Sequence, residues 1–197
     1  SKIKVNITRN AQRAGGIMVY VFLADGFEEI EAVTPIDILR RAGLTVKTAA
    51  VGANPVTGAH GMRMYADMDA SQARIDDAQA VLLPGGMPGT TNLENSEAVR
   101  SFLRAAVEKG VYIGAICAAP SILGHMGLLE GKRATCFPGF EGALSGAAVT
   151  GEAVVTDGHI VTARGAGCAA EFGFTLTALL CSPETAKGLR QSMQYED

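Results

Sequence analysis

The sequence predicts an α/β sandwich, a mostly parallel central sheet with helices on both faces, and three observations lead to that prediction. Continuous apolar runs alternate with segments of helical periodicity from Ile17 onward, as expected of strands that are covered on both faces. The 197 residues, 48% hydrophobic and 19% charged, have the composition of one globular domain. No internal repeat or low-complexity tract interrupts the alternation. Right-handed strand–helix–strand units around one sheet are therefore expected.

The individual elements follow in order along the chain. Residues 17–24 form an unbroken apolar run and are predicted to be a buried strand. Residues 28–41 have one apolar and one charged face, which predicts a helix that ends at Gly43. The next predicted elements are a strand at 44–51, short β-like pieces within 52–78, a strand at 80–83 and a helix at 96–108. A strand at 111–116, a helix at 119–126 and a strand at 133–137 follow. The last predicted elements are a hairpin of 153–156 and 160–163 and helices at about 168–181 and 183–193.

Composition and charge argue against two classes of partner. The formal net charge is −3, so the basic surface that phosphate binding needs is missing, and nucleic acid is not expected as the main partner. No apolar run approaches the roughly 20 residues that span a bilayer, so no membrane is expected. The four cysteines form no CxxC pair and have no metal-type spacing. We therefore predict free thiols, no metal, and a cytoplasmic, reducing location.

The first sixteen residues differ from the rest of the chain. They contain four basic residues and no acidic one, and they end in two glycines. We interpret residues 1–16 as a disordered extension or a remnant of cloning, with a short basic organellar targeting segment as the alternative. Residues 17–197 are then expected to form the single α/β domain.

The fold class indicates where to look for a site. In sheets of this kind, ligands bind at the carboxyl ends of the strands, near a point where the strand order reverses. The loops that follow predicted strands at this edge are 24–31, 84–91, 117–120 and 164–168.

Cys117 is the predicted nucleophile. It stands where a strand turns directly into a helix, in the segment GAICAAP at 114–120, whose small side chains permit a sharp elbow. A thiol at the amino end of a helix is expected to have a pKa of roughly 3.5–7.5, below the ordinary value of about 8.5. The alternative is a buried structural thiol, which the elbow disfavours.

Glu31 and two glycines are the predicted partners of that thiol. Glu31 lies three residues past Glu28, where it can point back over the sheet edge and share a proton with the sulfur. Glu28 and Glu29 are interpreted as acids that complement the helix dipole. Gly85 and Gly86 end a predicted strand and either form a tight turn or expose backbone N–H groups as an oxyanion hole.

Four motifs, LADGFEEIEAV-x-PIDILRRAG, LPGG, GAICAAP and ARGAGCAAEFGF, resemble those of the ThiJ/PfpI superfamily, specifically its DJ-one branch. They occur in order from the first predicted strand to the C-terminal helices, so the resemblance covers nearly the whole chain. It implies a flavodoxin-like α/β sandwich, a homodimer, Cys117 as the nucleophile and Glu31 as the carboxylic acid bonded to it. It also implies an oxyanion-type pocket formed by Gly85, Gly86 and the amide of Ala118.

Three activities are implied by the same resemblance. They are the conversion of methylglyoxal and glyoxal to lactate and glycolate without a cofactor, the removal of early glycation adducts from proteins, and redox-regulated chaperoning. Two hypotheses follow. In the first, the protein is a glyoxalase or deglycase whose partners are small dicarbonyls or glycated proteins. In the second, it is a redox-sensing stress protein or chaperone in which oxidation of Cys117 is the signal. A thiamine-pathway or amidotransferase-like role has support only from family names.

Several positions depart from the patterns of the relatives. Ala118 stands where protease and amidase-like relatives have a His, so peptidase activity is not expected. Phe137 replaces a His of the animal members, as in the bacterial branch, which puts any His-assisted step in doubt. His60 falls where animal members have an Arg and is either a participant in the site or a surface side chain. Arg164 either positions the opposing loop or supports the dimer.

Overall fold

Residues 16–195 are described by the computed structural model of this chain. The prediction for residues 1–16 therefore lies outside the described residues, apart from Gly16. None of the helices within residues 16–195 combines the length and the apolar character that crossing a membrane requires.

Strands and helices alternate along most of the described chain. The strands are β1 (Met18–Ala24), β2 (Thr45–Val51), β3 (Val56–Thr57), β4 (Arg63–Met64), β5 (Met68–Asp69), β6 (Ala78–Leu83), β7 (Tyr112–Ile116), β8 (Arg133–Ala134), β9 (Ala148–Val149), β10 (Val154–Asp157) and β11 (Ile160–Ala163). The helices are α1 (Glu29–Arg41), α2 (Gly89–Glu94), α3 (Glu97–Lys109), α4 (Pro120–His125), α5 (Ala169–Leu180) and α6 (Pro183–Ser192).

Seven of these strands form the central sheet, in the order β10-β11-β7-β6-β1-β2-β5. All neighbours are parallel except β10 and β11, which form the predicted hairpin. The chain runs from β1 outward to β2 and β5, and then continues at β6 on the other side of β1. The strand order therefore reverses between β1 and β6, which is the kind of point where α/β sheets bind ligands.

Helices cover both faces of the sheet, which confirms the predicted three-layer sandwich. Helices α1 and α5 pack on one face, and α2, α3 and α4 pack on the other. Burial of one large apolar side chain stabilises such a layer by roughly 1.5–3 kcal/mol. The side chains that line the layers are fully buried: Ala32, Leu39, Phe172 and Leu176 on the first face, and Leu93, Val99, Leu103 and Ile122 on the second.

Helix α1 begins and ends with side chains that complement its dipole. The Glu28 side chain accepts a hydrogen bond from the N–H of Ile30 at 3.3 Å, and the basic residues Arg40 and Arg41 occupy the last turn. Because α1 starts at the carboxyl end of β1, its first turn places Glu31 over the sheet edge.

One predicted strand, 133–137, is much shorter in the structure. Only Arg133–Ala134 form a strand, and they pair with β9 in a separate two-stranded sheet. The N–H of Thr135 already donates to the side-chain oxygen of Thr162 at 3.0 Å. This hydrogen bond to a side chain replaces the backbone hydrogen bond by which Thr135 would extend the strand.

The other main predicted helices and strands are confirmed to within two residues at each end. Helix α2 was missed, because its residues Gly89–Glu94, GTTNLE, have no apolar repeat of helical period.

Candidate active site

The carboxyl ends of β1, β6 and β7 bring three predicted site residues together. Glu31 lies in the first turn of α1, Gly85 follows β6, and Cys117 follows β7 directly. A Cβ atom placed on Gly85 would lie 2.6 Å from Oε2 of Glu31 and 2.7 Å from Cβ of Cys117. The acid, the glycine and the thiol are therefore in direct contact.

Cys117 is held in a backbone conformation that few side chains adopt. Its φ is 67°, and among residues 16–195 Gln194 is the one other non-glycine residue with a positive φ. The N–H of Cys117 donates to the Ala163 carbonyl, and its own carbonyl accepts from the N–H of Phe137, both at 2.9 Å. Such strain costs roughly 1–3 kcal/mol and persists where the surroundings fix it. The sharp elbow predicted for residues 114–120 is present.

Glu31 is a deeply buried acid, with 2% of its surface exposed. Its Oε2 accepts a hydrogen bond from the N–H of Gly85 at 2.8 Å, and its carboxyl group is hydrogen-bonded to the Cys117 thiol. Burial raises the pKa of Glu31 to about 7, and the charge of Glu28 adds to the rise, whereas the bonds from Cys117 and Gly85 oppose it. Both the protonated and the ionised form of Glu31 are therefore populated at neutral pH.

The pKa of Cys117 moves in the direction opposite to the one predicted from the sequence. Burial raises it, and the charge of Glu31 and the hydrogen bond to that carboxylate raise it further, to about 12, while the N–H groups of Ala118 and Gly86 lower it. Helix α4 has six residues and begins three positions after Cys117. Burial and the neighbouring carboxylate thus oppose the ionisation that was expected from the helix terminus.

The acid and the thiol instead titrate as a pair. When Glu31 accepts the thiol proton, two of the three causes that raise the pKa of Cys117 disappear, namely the charge of Glu31 and the hydrogen bond from the thiol to its carboxylate. An acid with a pKa near 7 is well suited to taking and returning a proton at neutral pH. The arrangement can therefore generate a thiolate by moving one proton from sulfur to oxygen.

The predicted backbone donors divide into two roles. The N–H groups of Gly86 and Ala118 face the sulfur of Cys117. The N–H of Gly85 is instead bonded to Glu31, so Gly85 positions the acid. Two N–H groups thus remain beside the sulfur, where they could stabilise an oxyanion.

His60 and Arg164 contact groups other than the thiol. The His60 ring nitrogen Nδ1 lies 3.2 Å from the carboxylates of Glu28 and Glu29. Arg164 donates to the Gly151 carbonyl at 2.7 Å and so fastens its own loop to a neighbouring one. A role of Arg164 in a dimer stays a prediction.

Phe137 stands beside the loop that carries Cys117. Its N–H bonds the Cys117 carbonyl, and its ring lies 3.3 Å from the position of a Cβ atom placed on Gly165. This aromatic ring has no titratable group, so Phe137 offers neither an acid nor a base beside the sulfur.

Sequence reasoning missed the role of Glu29, which it assigned to the helix dipole. Glu29 is buried, and its Oε1 accepts from the N–H groups of His60 at 2.9 Å and Met62 at 3.3 Å. Burial raises the pKa of Glu29. The bonds from the N–H groups of His60 and Met62, together with bonds from the N–H of Glu29 itself and from the His60 ring, outweigh burial and lower the pKa. The partners lie 31 and 33 residues away along the chain, so no local spacing could have predicted them.

Comparison with known proteins identifies relatives of this chain. A family model described as the DJ-1/PfpI family matches residues 18–179. DJ-1 homolog B of Arabidopsis thaliana is 40% identical over 171 residues, 85% of this chain. The chain spans 39% of the length of that relative. The crystal structure of Drosophila melanogaster DJ-1beta superimposes with a TM-score of 0.88 at 32% identity, covering 92% of this chain and 99% of that one.

Two further relatives have names that state an activity. A glutathione-independent glyoxalase of Caenorhabditis elegans is 31% identical over 164 residues, 82% of this chain and 87% of the relative. A deglycase of Pyrococcus abyssi is 31% identical over 148 residues, 74% of this chain and 89% of the relative. The motifs quoted from the sequence and these likenesses point to the same group of proteins.

Proposed function

The chain belongs to the DJ-1/PfpI family, and on that basis we propose that it is a glyoxalase and protein deglycase. Its substrates are reactive dicarbonyls, such as methylglyoxal and glyoxal, and early glycation adducts on proteins. Cys117 is the nucleophile and Glu31 the acid and base. The observation that carries the proposal is the buried carboxyl group with a pKa of about 7, hydrogen-bonded to a thiol on a strained elbow.

The reaction with methylglyoxal begins with one proton transfer. Ionised Glu31 accepts the thiol proton while the sulfur of Cys117 forms a bond to the aldehyde carbon. The carbonyl electron pair moves to oxygen, where the N–H groups of Gly86 and Ala118 stabilise the negative charge. Protonation of that oxygen gives a hemithioacetal.

The remaining steps move a second proton and add water. A base removes the proton from the former aldehyde carbon, and a proton is returned to the adjacent carbon, so the hemithioacetal becomes a lactoyl thioester. Glu31 is the group placed to carry this proton. Water then cleaves the C–S bond of the thioester, which releases lactate and restores the thiol. The sum is methylglyoxal plus water giving lactate, with no net oxidation or reduction.

The direct test is lactate formation by the purified full chain from methylglyoxal in the absence of glutathione. We expect stoichiometric lactate, followed by proton NMR. Consumption of methylglyoxal without lactate, as simple adduct formation on surface side chains would give, would contradict the proposed activity.

Replacing Gly85 with Ala should separate the acid from the thiol. The new methyl group would overlap Oε2 of Glu31 and Cβ of Cys117, and a displacement of about 1 Å in such a site costs about 100-fold in rate. We expect kcat/KM for methylglyoxal to fall by about that factor. Gly142→Ala is the matched control, because a Cβ atom there meets nothing within 4 Å, and equal losses in both variants would argue against the contact.

The redox-sensing alternative uses the same sulfur. The N–H groups of Gly86 and Ala118 that face Cys117 could equally bind the oxygens of a sulfinate. To test this alternative, the protein is treated with mild peroxide, and its intact mass and its holdase activity are then measured. A stress sensor or chaperone would gain oxygen at Cys117 and change its holdase activity, whereas an enzyme would simply lose turnover. All four cysteines are free thiols, which fits the cytoplasmic location that we also propose.

We also propose that the chain forms a homodimer through an apolar patch on α1 and the adjacent β3–β4 hairpin. Ile30, Val33 and Met62 are exposed there, and the hairpin is held against α1 by the bond from Met62 to Glu29. A helix face of this kind can pack on its own copy across a two-fold axis.

Val33→Glu should convert the dimer into a monomer, because it places a charge at the centre of that patch. Light scattering after gel filtration measures the mass. Val107→Glu on α3 is the matched control, since Val33 and Val107 are 47% and 48% exposed. A dimer that survives Val33→Glu but not Val107→Glu would assign the interface to the other face.

A further inference from the structure

A second cluster of ligand-type side chains lies beside the active site. Glu28, Glu29 and His60 each offer one ligand atom, and these atoms all lie within 4.8 Å of one another. Nδ1 of His60 is 3.2 Å from a carboxylate oxygen of each acid. We propose that these three side chains form a binding site for a divalent transition-metal cation such as Zn²⁺. The site is separate from the thiol chemistry and does not depend on the proposed function.

Glu29 is held in place as a ligand before any cation binds. Its side chain is more than nine-tenths buried, and its Oε1 is fixed by the N–H groups of His60 and Met62. The other oxygen, Oε2, is the one that faces the His60 ring. A Cβ atom on Gly58 would lie 2.2 Å from Oε1, so the hairpin closes over this carboxylate only because residue 58 is glycine.

The charges of the cluster favour a cation. Backbone N–H groups bind Oε1 of Glu29, so Oε2 is the oxygen available to a cation beside the His60 ring. Within residues 16–195, the ion pairs recorded for Glu28 and Glu29 are both with His60. Two carboxylates and one imidazole leave a net negative charge even when the ring is protonated. A divalent cation bound by all three groups would neutralise it.

The donor set indicates which cation. Imidazole nitrogen with carboxylate oxygen suits Zn²⁺, Co²⁺ and Ni²⁺, whereas Mg²⁺ and Ca²⁺ prefer sites made of oxygen alone. Three protein ligands leave at least one position for water. The His60 side chain is 71% exposed in the single chain, so an ion can reach the cluster of an undimerised copy from solvent.

The test is calorimetric titration of the full chain with Zn²⁺ in a Cys117→Ser background. That substitution removes the thiol that would otherwise compete as a ligand. We expect one saturable equivalent of Zn²⁺, and His60→Ala in the same background should weaken its binding by about tenfold or more. Glu28→Gln should weaken it similarly.

The matched control is His125→Ala. His125 also pairs with a glutamate, Glu94, but with one carboxylate rather than two, so its loss should leave the affinity unchanged. Absence of saturable binding to Cys117→Ser, or an unchanged affinity in His60→Ala, would overturn the proposal. If His60→Ala lowers the melting temperature, His60→Asn replaces it, because Asn keeps a polar side chain at the exposed hairpin. The readout is binding, so its failure leaves the glyoxalase proposal untouched.

Discussion

Cys117→Ser should lower kcat for methylglyoxal by about 1,000-fold or more, which corresponds to about 4 kcal/mol of lost transition-state stabilisation. A hydroxyl is a far weaker acid than a thiol, and a carboxylate with a pKa of about 7 cannot take its proton at a useful rate. Serine is close to cysteine in size and can keep the strained elbow, so the loss should come from the chemistry rather than from unfolding. Initial rates of lactate formation measure it.

Cys181→Ser provides the control for that result. Cys181 is also a half-buried free thiol, and burial alone raises its pKa, with no acid bonded to it. The Cys181→Ser variant should retain full turnover of methylglyoxal. Equal losses in the two variants, or a Cys117→Ser variant that keeps more than a small fraction of the activity, would remove the sulfur of Cys117 from the mechanism.

The position of this site could be predicted from the sequence because its signals are local. Small residues around Cys117 indicated the elbow. The spacing from Glu28 allowed Glu31 to point over the edge of the sheet, and the family resemblance singled it out as the acid bonded to the thiol. The rule that ligands bind at the carboxyl ends of parallel strands then brought the two segments together. None of these steps required knowledge of which strands are neighbours.

What could not be predicted depends on contacts that are distant along the chain. The order of the strands, and with it the reversal between β1 and β6, follows from tertiary pairing that apolar periodicity does not encode. The pKa of Cys117 is raised, whereas a lowered pKa was predicted. The sequence shows a neighbouring helix but does not show how far the thiol is buried. Glu29 was likewise assigned to the helix dipole, since its partners His60 and Met62 are brought to it only by the folded hairpin.

The pair of acid and thiol leads to a specific pH dependence. Because the proposed base must be ionised, kcat/KM should rise with pH through about 7, the pKa of Glu31. Glu31→Gln should remove that rise and lower kcat by roughly 100- to 10,000-fold, the range typical of a lost acid or base. Glu94→Gln, which changes an acid bonded to a surface histidine, should keep both the rate and the profile. A Glu31→Gln enzyme that still gains activity near pH 7 would show that another group is the base.

Glu31→Gln should also make the protein more stable at neutral pH. The pKa of Glu31 is about 7 in the folded chain against an ordinary value of 4.5. Below 4.5 both states hold the proton and burial carries no penalty. As the pH rises from 4.5 to about 7, the unfolded chain releases its proton first, so stability falls, by about 3 kcal/mol in all.

Glu31→Gln has no proton to release in this range, and its amide can still accept the hydrogen bond from Gly85 and face the sulfur. We therefore expect the variant to be more stable than the parent by up to about 3 kcal/mol above pH 7, with the difference shrinking towards pH 4.5. Urea denaturation of both proteins across this range measures the difference, and the contributions of all other titrating groups cancel between them. A difference that does not change with pH would mean that Glu31 keeps an ordinary pKa in the folded chain, and the proton transfer proposed for the thiol would lose its acceptor.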